Sequence, residues 1–331
     1  MVNLTIGGGN FKGISYVGAL EYLYQNNLIN KIDNFYGSSI GSVIGLFFII
    51  GYKPYEIFEI ILNFNLNDYW DLNFDNLQKS FSLITDKIFK KFKELFSLKE
   101  KSNITFIEFY KKYNIKLNLF ATSLNQRKNI CFNVDNYPNY EVFNILQASC
   151  SIPLIFPPVK INNELYVDGC IKCIDGVCKN YINDDKINFI IKGDYSNRNI
   201  ETFTQYIEQV INCIIQNDEE TITDYTINIK TLSEYDNKVS FGTINHNDKL
   251  KLFYHGLSEA KEKISAKISD FHLKINEEIL NETLDKINKN FEDREDREDR
   301  EDNEDREDQE DQEDQEDSGD KNNKSTQTDN S

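Results

Sequence analysis

The sequence predicts an α/β fold, a mainly parallel central sheet covered by helices on both faces, followed by a disordered acidic tail. Two observations predict the sheet. Short β-branched and aromatic runs alternate with longer helix-like runs along the chain, the pattern of strands linked by crossover helices. Glycine-rich turns also stand where strand-like runs give way to helix-like ones, at 7–13 and 37–41. Strands are expected at Asn3–Ile6, Asn34–Tyr36, Lys116–Thr122, Ile130–Asn133, Glu164–Val167, Ile187–Lys192 and Thr226–Lys230. Helices are expected at Ile14–Gln25, Gly41–Ile50, Pro54–Leu62, Val142–Ala148, Thr202–Gln216 and Asp248–Ile287.

The first strand leads into Gly7-Gly8-Gly9-Asn10-Phe11-Lys12-Gly13. Consecutive glycines let the backbone approach closely and aim several N–H groups at one point. Neither GxxxxGK[ST] nor GxGxxG is present, so a phosphate-cradling loop is disfavoured. An oxyanion hole needs only about two aligned N–H groups beside a nucleophile, which this loop can supply. The plain alternative is a turn between strand and helix.

The second strand ends in Tyr36-Gly37-Ser38-Ser39-Ile40-Gly41, a Gly-x-Ser-x-Gly pentad. A serine on a sharp strand-to-helix turn is held in strained geometry with its Oγ exposed, and the next helix points its N-terminal dipole end there. Ser39 is the candidate nucleophile. The run Val43–Ile50 behind it is too short to span a bilayer and reads as a buried helix. In the insertion over residues 64–114, Ile88, Phe89, Phe92, Leu95 and Phe96 form one helical stripe bordered by Lys87, Lys90, Lys91 and Lys93. Such a helix either lies on an anionic membrane as a lid or packs its stripe on the domain.

Tyr166-Val167-Asp168-Gly169 places a carboxylate at a strand end, where α/β folds collect their chemistry. Asp168 could serve as general base to Ser39 without a histidine. A triad with His246 or His255 satisfies the chain order formally. That fold, however, places several strands before its nucleophile, and 38 residues leave room for about two. The histidines, His272 included, are therefore read as surface or packing residues.

These residues, in this order, resemble the patatin-like phospholipase family, in the short form found in large DNA viruses and bacteria. The resemblance rests on the loop from Gly8 to Gly13 with Lys12, on Ile14–Leu20, and on the pentad from Gly37 to Gly41. It rests also on Ala121–Asn125, on the run Ala148–Pro158, and on Asp168-Gly169, and it covers residues 3–175. It implies a three-layer α/β/α fold, a Ser39–Asp168 dyad, an oxyanion hole at Gly8, Gly9 and Asn10, and hydrolysis of acyl-lipid esters such as phospholipids without a cofactor. With Lys12 and Gly13 aligned to the family's basic residue and glycine, the family carries a third glycine where Asn10 stands; an alternative alignment keeps Gly7, Gly8 and Gly9 and inserts one residue before Lys12. The family prefers glycine or alanine where Cys170 stands. Those departures motivate the rival function, a patatin-shaped lipid-binding or interaction protein with impaired catalysis.

Six cysteines without a secretory signal fit reduced thiols in a cytoplasmic setting, with peripheral membrane contact left open. Cys170-x-x-Cys173 with Cys178 has zinc-like spacing, but no second pair or histidine lies close by, so no metal is expected. Residues 292–317 hold nine Glu-Asp pairs and 4 arginines, a net charge of −14 out of the chain's −18. Such a segment cannot bury enough apolar surface to fold. It reads as a solubilising extension or a site for a basic partner whose identity the sequence leaves unknown. The domains expected are thus a catalytic body over 1–290 and a tail over 291–331. The body is nearly neutral, with 31 basic against 35 acidic residues up to Phe291, and shows no basic patch for nucleic acid.

Overall fold

The computed structural model describes residues 2–69, 71–172, 187–193, 226–230, 244–277, 279–281 and 283–286, with single positions at 200, 206, 210 and 289. Of the expected helix over Thr202–Gln216 only Tyr206 and Val210, both helical, are described; its other residues, the acidic tail, and Cys173, Cys178 and Cys213 lie outside the described residues. The chain divides into a unit over Met1–His272 and another over Leu273–Ser331, and the described residues of the latter are helical.

Among the described residues, the first unit is built on an eight-stranded mixed sheet. Its strands are β1 (Val2–Ile6), β2 (Asn34–Ser38), β3 (Lys116–Ser123), β4 (Lys128–Phe132), β5 (Val159–Ile161), β6 (Glu164–Asp168), β7 (Ile187–Gly193) and β8 (Thr226–Ile229). The helices are α1 (Gly13–Gln25), α2 (Ile40–Ile49), α3 (Pro54–Asn63), α4 (Asp75–Ser80), α5 (Lys87–Ser97), α6 (Phe106–Tyr113), α7 (Val142–Ser149) and α8 (His246–Ile264). Strands β3, β2, β1, β7 and β8 run parallel in that spatial order. Every residue of β1, and all of β3 after Lys116, is buried without alternation, so helices cover the sheet on both faces.

The sequence did not announce the antiparallel end of this sheet. β3 pairs antiparallel with β4 and β6, and the short β5 adds to β6. Positions 119 and 120 of β3 pair with both β2 and β4, while 121–123 pair with both β4 and β6. Since β4 occupies one edge throughout, β2 and β6 must share the other, end to end. This sharing positions the site.

Local signals set the helix starts. Pro54 opens α3 while the Lys53 N–H donates to Glu56 Oε2 at 2.8 Å. Thr105 with Glu108 and Asn245 with Asp248 form capping boxes at α6 and α8. The expected single helix over 248–287 is interrupted by a 3₁₀ turn at Ser265–Lys267, the tighter winding that commonly closes an α-helix.

Helix α8 docks on α1 and α3 more closely than side chains would allow. A Cβ on Gly18 would lie 1.9 Å from Phe253 O, and one on Gly256 1.8 Å from Ser15 O. The two backbones therefore touch directly. Phe58 of α3 stacks on Phe253 with centroids 4.0 Å apart. Burying each such large apolar side chain contributes about 1.5–3 kcal/mol.

Helix α5 turns its apolar stripe inward. Ile88, Phe89 and Phe96 are buried, and Phe92 meets Phe47 edge-on. Three of the lysines around the stripe pair with acids, Lys87 with Asp71, Lys90 with Asp86 and Lys91 with Glu94. The fourth, Lys93, lies over the Phe143 ring. The helix is packed on the domain. No helix among the described residues is long and apolar enough to cross a membrane.

Candidate active site

Ser39 stands between β2 and α2 with φ 51° and ψ −133°, a backbone region that costs a non-glycine residue about 1–3 kcal/mol. Surrounding contacts hold it there. The Ser39 N–H donates to Ser149 Oγ at 3.0 Å, and Cys150 Sγ donates to Ser39 O at 3.1 Å. Ser42 Oγ pairs with Ser149 Oγ at 3.0 Å. The sequence placed Ser149 and Cys150 only within a family-like run; their grip on the Ser39 backbone depends on how α7 meets α2.

Ser39 Oγ donates to Asp168 Oδ2 at 2.6 Å, with both residues buried. The other carboxylate oxygen, Oδ1, accepts from the Cys170 N–H at 2.8 Å, and the Asp168 N–H donates to Ser151 O. Burial pushes the Asp168 carboxyl up to about 6, against the pull of the hydrogen bonds from Ser39 and Cys170. Burial also raises the Cys150 and Cys170 thiols, with the nearby Asp168 charge adding to it, so both stay protonated. A hydroxyl aimed at a carboxylate of raised basicity can pass it a proton, the requirement for an activated oxygen nucleophile.

The glycine loop closes over this pair. A Cβ on Gly8 would lie 2.2 Å from Cys170 Sγ and 3.4 Å from Ser39 Cβ, so the loop backbone passes directly over the serine. Tyr16 OH donates to Gly8 O at 2.5 Å, and a Cβ on Gly9 would strike that hydroxyl. Asn10 takes φ 52°, left-handed backbone that glycine adopts freely and asparagine tolerates best among other residues. This is why asparagine can stand in a glycine's place. Neither the Gly9 nor the Asn10 N–H has a protein acceptor among the described residues. Lys12 is buried below the loop, and Gly13 packs on Ile40.

The pentad glycines and Gly169 act by size. A Cβ on Gly41 would lie 2.2 Å from Ile6 O and 2.4 Å from Gly7 O, so α2 starts against the end of β1. Gly37 packs against Phe35 and Ser42, and Gly169 against Phe120 O and Ser38 Oγ.

Ser39 opens on a cavity of about 560 Å³. Ile40, Val43 and Ile44 of α2, Ile88, Phe89 and Phe92 of α5, and Phe156 make it largely apolar. Asn10 and Phe11 also line it, with the end of α3 and, from the start of α8, Asn245, His246 and Lys249. The histidines take no part in the Ser39–Asp168 contact. His246 is exposed at the cavity wall, His255 Nε2 pairs with Lys230 O at 2.5 Å, and His272 Nε2 with Asn26 O at 3.0 Å. No cluster of potential metal ligands occurs among the described residues.

Residues 4–172 match the family described as patatin-like phospholipase. The chain is 36% identical over 193 residues to "Probable lipid hydrolase 463L" of Invertebrate iridescent virus 6, covering 56% of this chain and 63% of that protein. It is 26% identical over 171 residues to "Lysophospholipase NTE1" of Candida albicans, covering 51% of this chain and 11% of that one. It therefore spans less than two thirds of these relatives. Among solved structures it is similar to VipD from Legionella pneumophila, with a TM-score of 0.49 and 12% identity over 80% of this chain and 66% of that one.

Proposed function

The chain belongs to the patatin-like phospholipase family, and from that premise we propose that it is a serine acyl hydrolase that cleaves fatty-acyl esters of phospholipids or related lipids. The 2.6 Å hydrogen bond from Ser39 to Asp168, at the wall of an apolar cavity, carries this reading. The cavity volume suits an acyl chain, which needs apolar walls rather than polar anchors.

Asp168 takes the proton of Ser39 as Oγ bonds to the ester carbonyl carbon, and the carbonyl electron pair moves onto oxygen. The Gly9 and Asn10 N–H groups, with the loop backbone at Gly8, receive that oxyanion, helped by the N-terminal dipole of α2. Collapse breaks the bond to the alcohol oxygen, which leaves with the proton held by Asp168. Water then gives Asp168 a proton as its oxygen attacks the acyl-enzyme. Release of the fatty acid returns Ser39 Oγ with that proton. No step calls for a metal or an organic cofactor.

Fatty-acid release from mixed phospholipid vesicles tests this, alongside labelling by a fluorophosphonate. Ser39→Ala should abolish both. Release at the wild-type rate by Ser39→Ala would remove the nucleophile assignment, and a wild-type serine inert to the probe would favour a lipid-binding protein without catalysis.

A further inference from the structure

One wall of the Ser39 cavity comes from beyond the family match. That part is Ile244, Asn245, His246 and Lys249; it adjoins the last turn of α3 with Ile60, Ile61, Leu62 and Phe64, which lies inside the match. Lys249 joins the two. Its Nζ donates to Ile61 O at 2.8 Å, Leu62 O at 3.2 Å and Phe64 O at 2.6 Å. An ammonium has three N–H donors, so all of them are committed to one turn.

They lie where α3 ends and carbonyls run short of intrahelical donors; Ile61 O also accepts from the Phe64 N–H at 3.2 Å. A cation there also complements the negative end of the helix dipole. Lys249 forms no ion pair among the described residues, and burial lowers its pKa. Burying a lysine is unfavourable unless its donors are satisfied. Here they are satisfied by backbone that faces the cavity. The lysine is itself held in place, one turn before Phe253, where α8 stacks on Phe58 and crosses α1 in backbone contact.

We propose that Lys249 is a positioning residue that sets the acyl-chain selectivity of the Ser39 site, by clamping the last turn of α3 as a fixed wall of the cavity. The inference rests on the acyl-hydrolase reading above. Short acyl groups reach Ser39 without touching that wall, whereas long chains must pack on it. Releasing the turn lets Ile61 and Phe64 move into the space a long chain needs.

The test compares wild type, Lys249→Met and Lys249→Arg on p-nitrophenyl butyrate and p-nitrophenyl palmitate. Methionine keeps the length and apolar stem but removes every donor. Lys249→Met should lower kcat/KM on palmitate about tenfold through KM while kcat on butyrate stays within about twofold. Lys249→Arg, which retains charge and several donors, should recover most of the palmitate activity. An unchanged palmitate-to-butyrate ratio overturns the proposal, as does an equal fall on both esters. If Lys249→Met does not fold, Lys249→Gln is read in its place. Failure of both to fold beside a folded Lys249→Arg assigns the lysine to the fold alone and also overturns it. A wild type that cleaves neither ester defeats the hydrolase reading instead. The wall is then read from binding of a fluorescent long-chain fatty acid, which Lys249→Met must weaken more than a short-chain one.

Discussion

Ser38 and Asp168 occupy successive positions on one edge of β3, Ser38 opposite Phe120 and Asp168 opposite Ala121. Each is the last residue of its strand, one parallel to β3 and the other antiparallel. The chain ends therefore meet head to head, and the residue after Ser38 falls against the carboxylate. A separation of 129 residues is closed by sheet register.

That register makes Asp168→Asn a clean test of proton acceptance. Asparagine keeps the shape and can still accept from the Cys170 N–H, but it cannot take a proton. Ester hydrolysis should fall by about 10²–10⁴-fold, with an unchanged circular dichroism spectrum. Activity within threefold of wild type, on the order of experimental scatter, would contradict the role.

Activity should fall as pH drops through about 6, because the Asp168 carboxyl must be ionised to accept the Ser39 proton. Stability runs the opposite way. Burial lifts the folded carboxyl to about 6 from the ordinary 3.8 of an aspartate, so between those values the native state holds more proton than the unfolded chain. This group therefore favours folding at low pH and loses that contribution as pH rises through about 6, a loss on the order of 3 kcal/mol by pH 7. Asp168→Asn should thus melt higher than wild type at pH 7, with the gap closing toward pH 4. Thermal melts across that range check the sign.

Two glycines with similar clashes should respond differently to repair. Ala at Gly8 meets the Cys170 sulfur, whereas Ala at Gly41 meets backbone oxygens of Ile6 and Gly7. Each single variant should lose about 1–3 kcal/mol. Cys170→Ala should restore most of the loss in Gly8→Ala and none in Gly41→Ala. Double-mutant melts measure that coupling.

Gly256→Ala should push α8 off α1, since its Cβ would lie 1.8 Å from Ser15 O. Backbone cannot yield as a side chain can, so a loss of about 3 kcal/mol is expected. Long-chain ester activity should fall with it because α8 carries cavity residues. Denaturant titration and ester assays together test this.

The parts legible from sequence were those set by neighbours along the chain. The glycine loop, the pentad and the carboxylate at the end of β6 each declare themselves within a few residues, because tight turns demand small side chains. The antiparallel pairing of β6 with β3 left no such mark, since β5 and β6 are short and the pairing partner lies 43 to 47 residues away by the register itself. Gly18 and Gly256 look like ordinary helix glycines until α1 and α8 cross. Lys249 likewise looks like one more surface lysine of a polar helix; only the fold brings the end of α3 to it. The stripe on α5 was visible, but its facing inward was decided by Phe47, Phe64 and Phe156.

The shared edge of β3 has an evolutionary consequence. Ser39 and Asp168 are spaced by strand backbone, while much of the surrounding chamber is lined by α3, α5 and α8. Mutations can reshape that chamber without altering the Ser39–Asp168 distance. In the proposed hydrolase, substrate range and proton transfer would thereby be free to vary as separate traits.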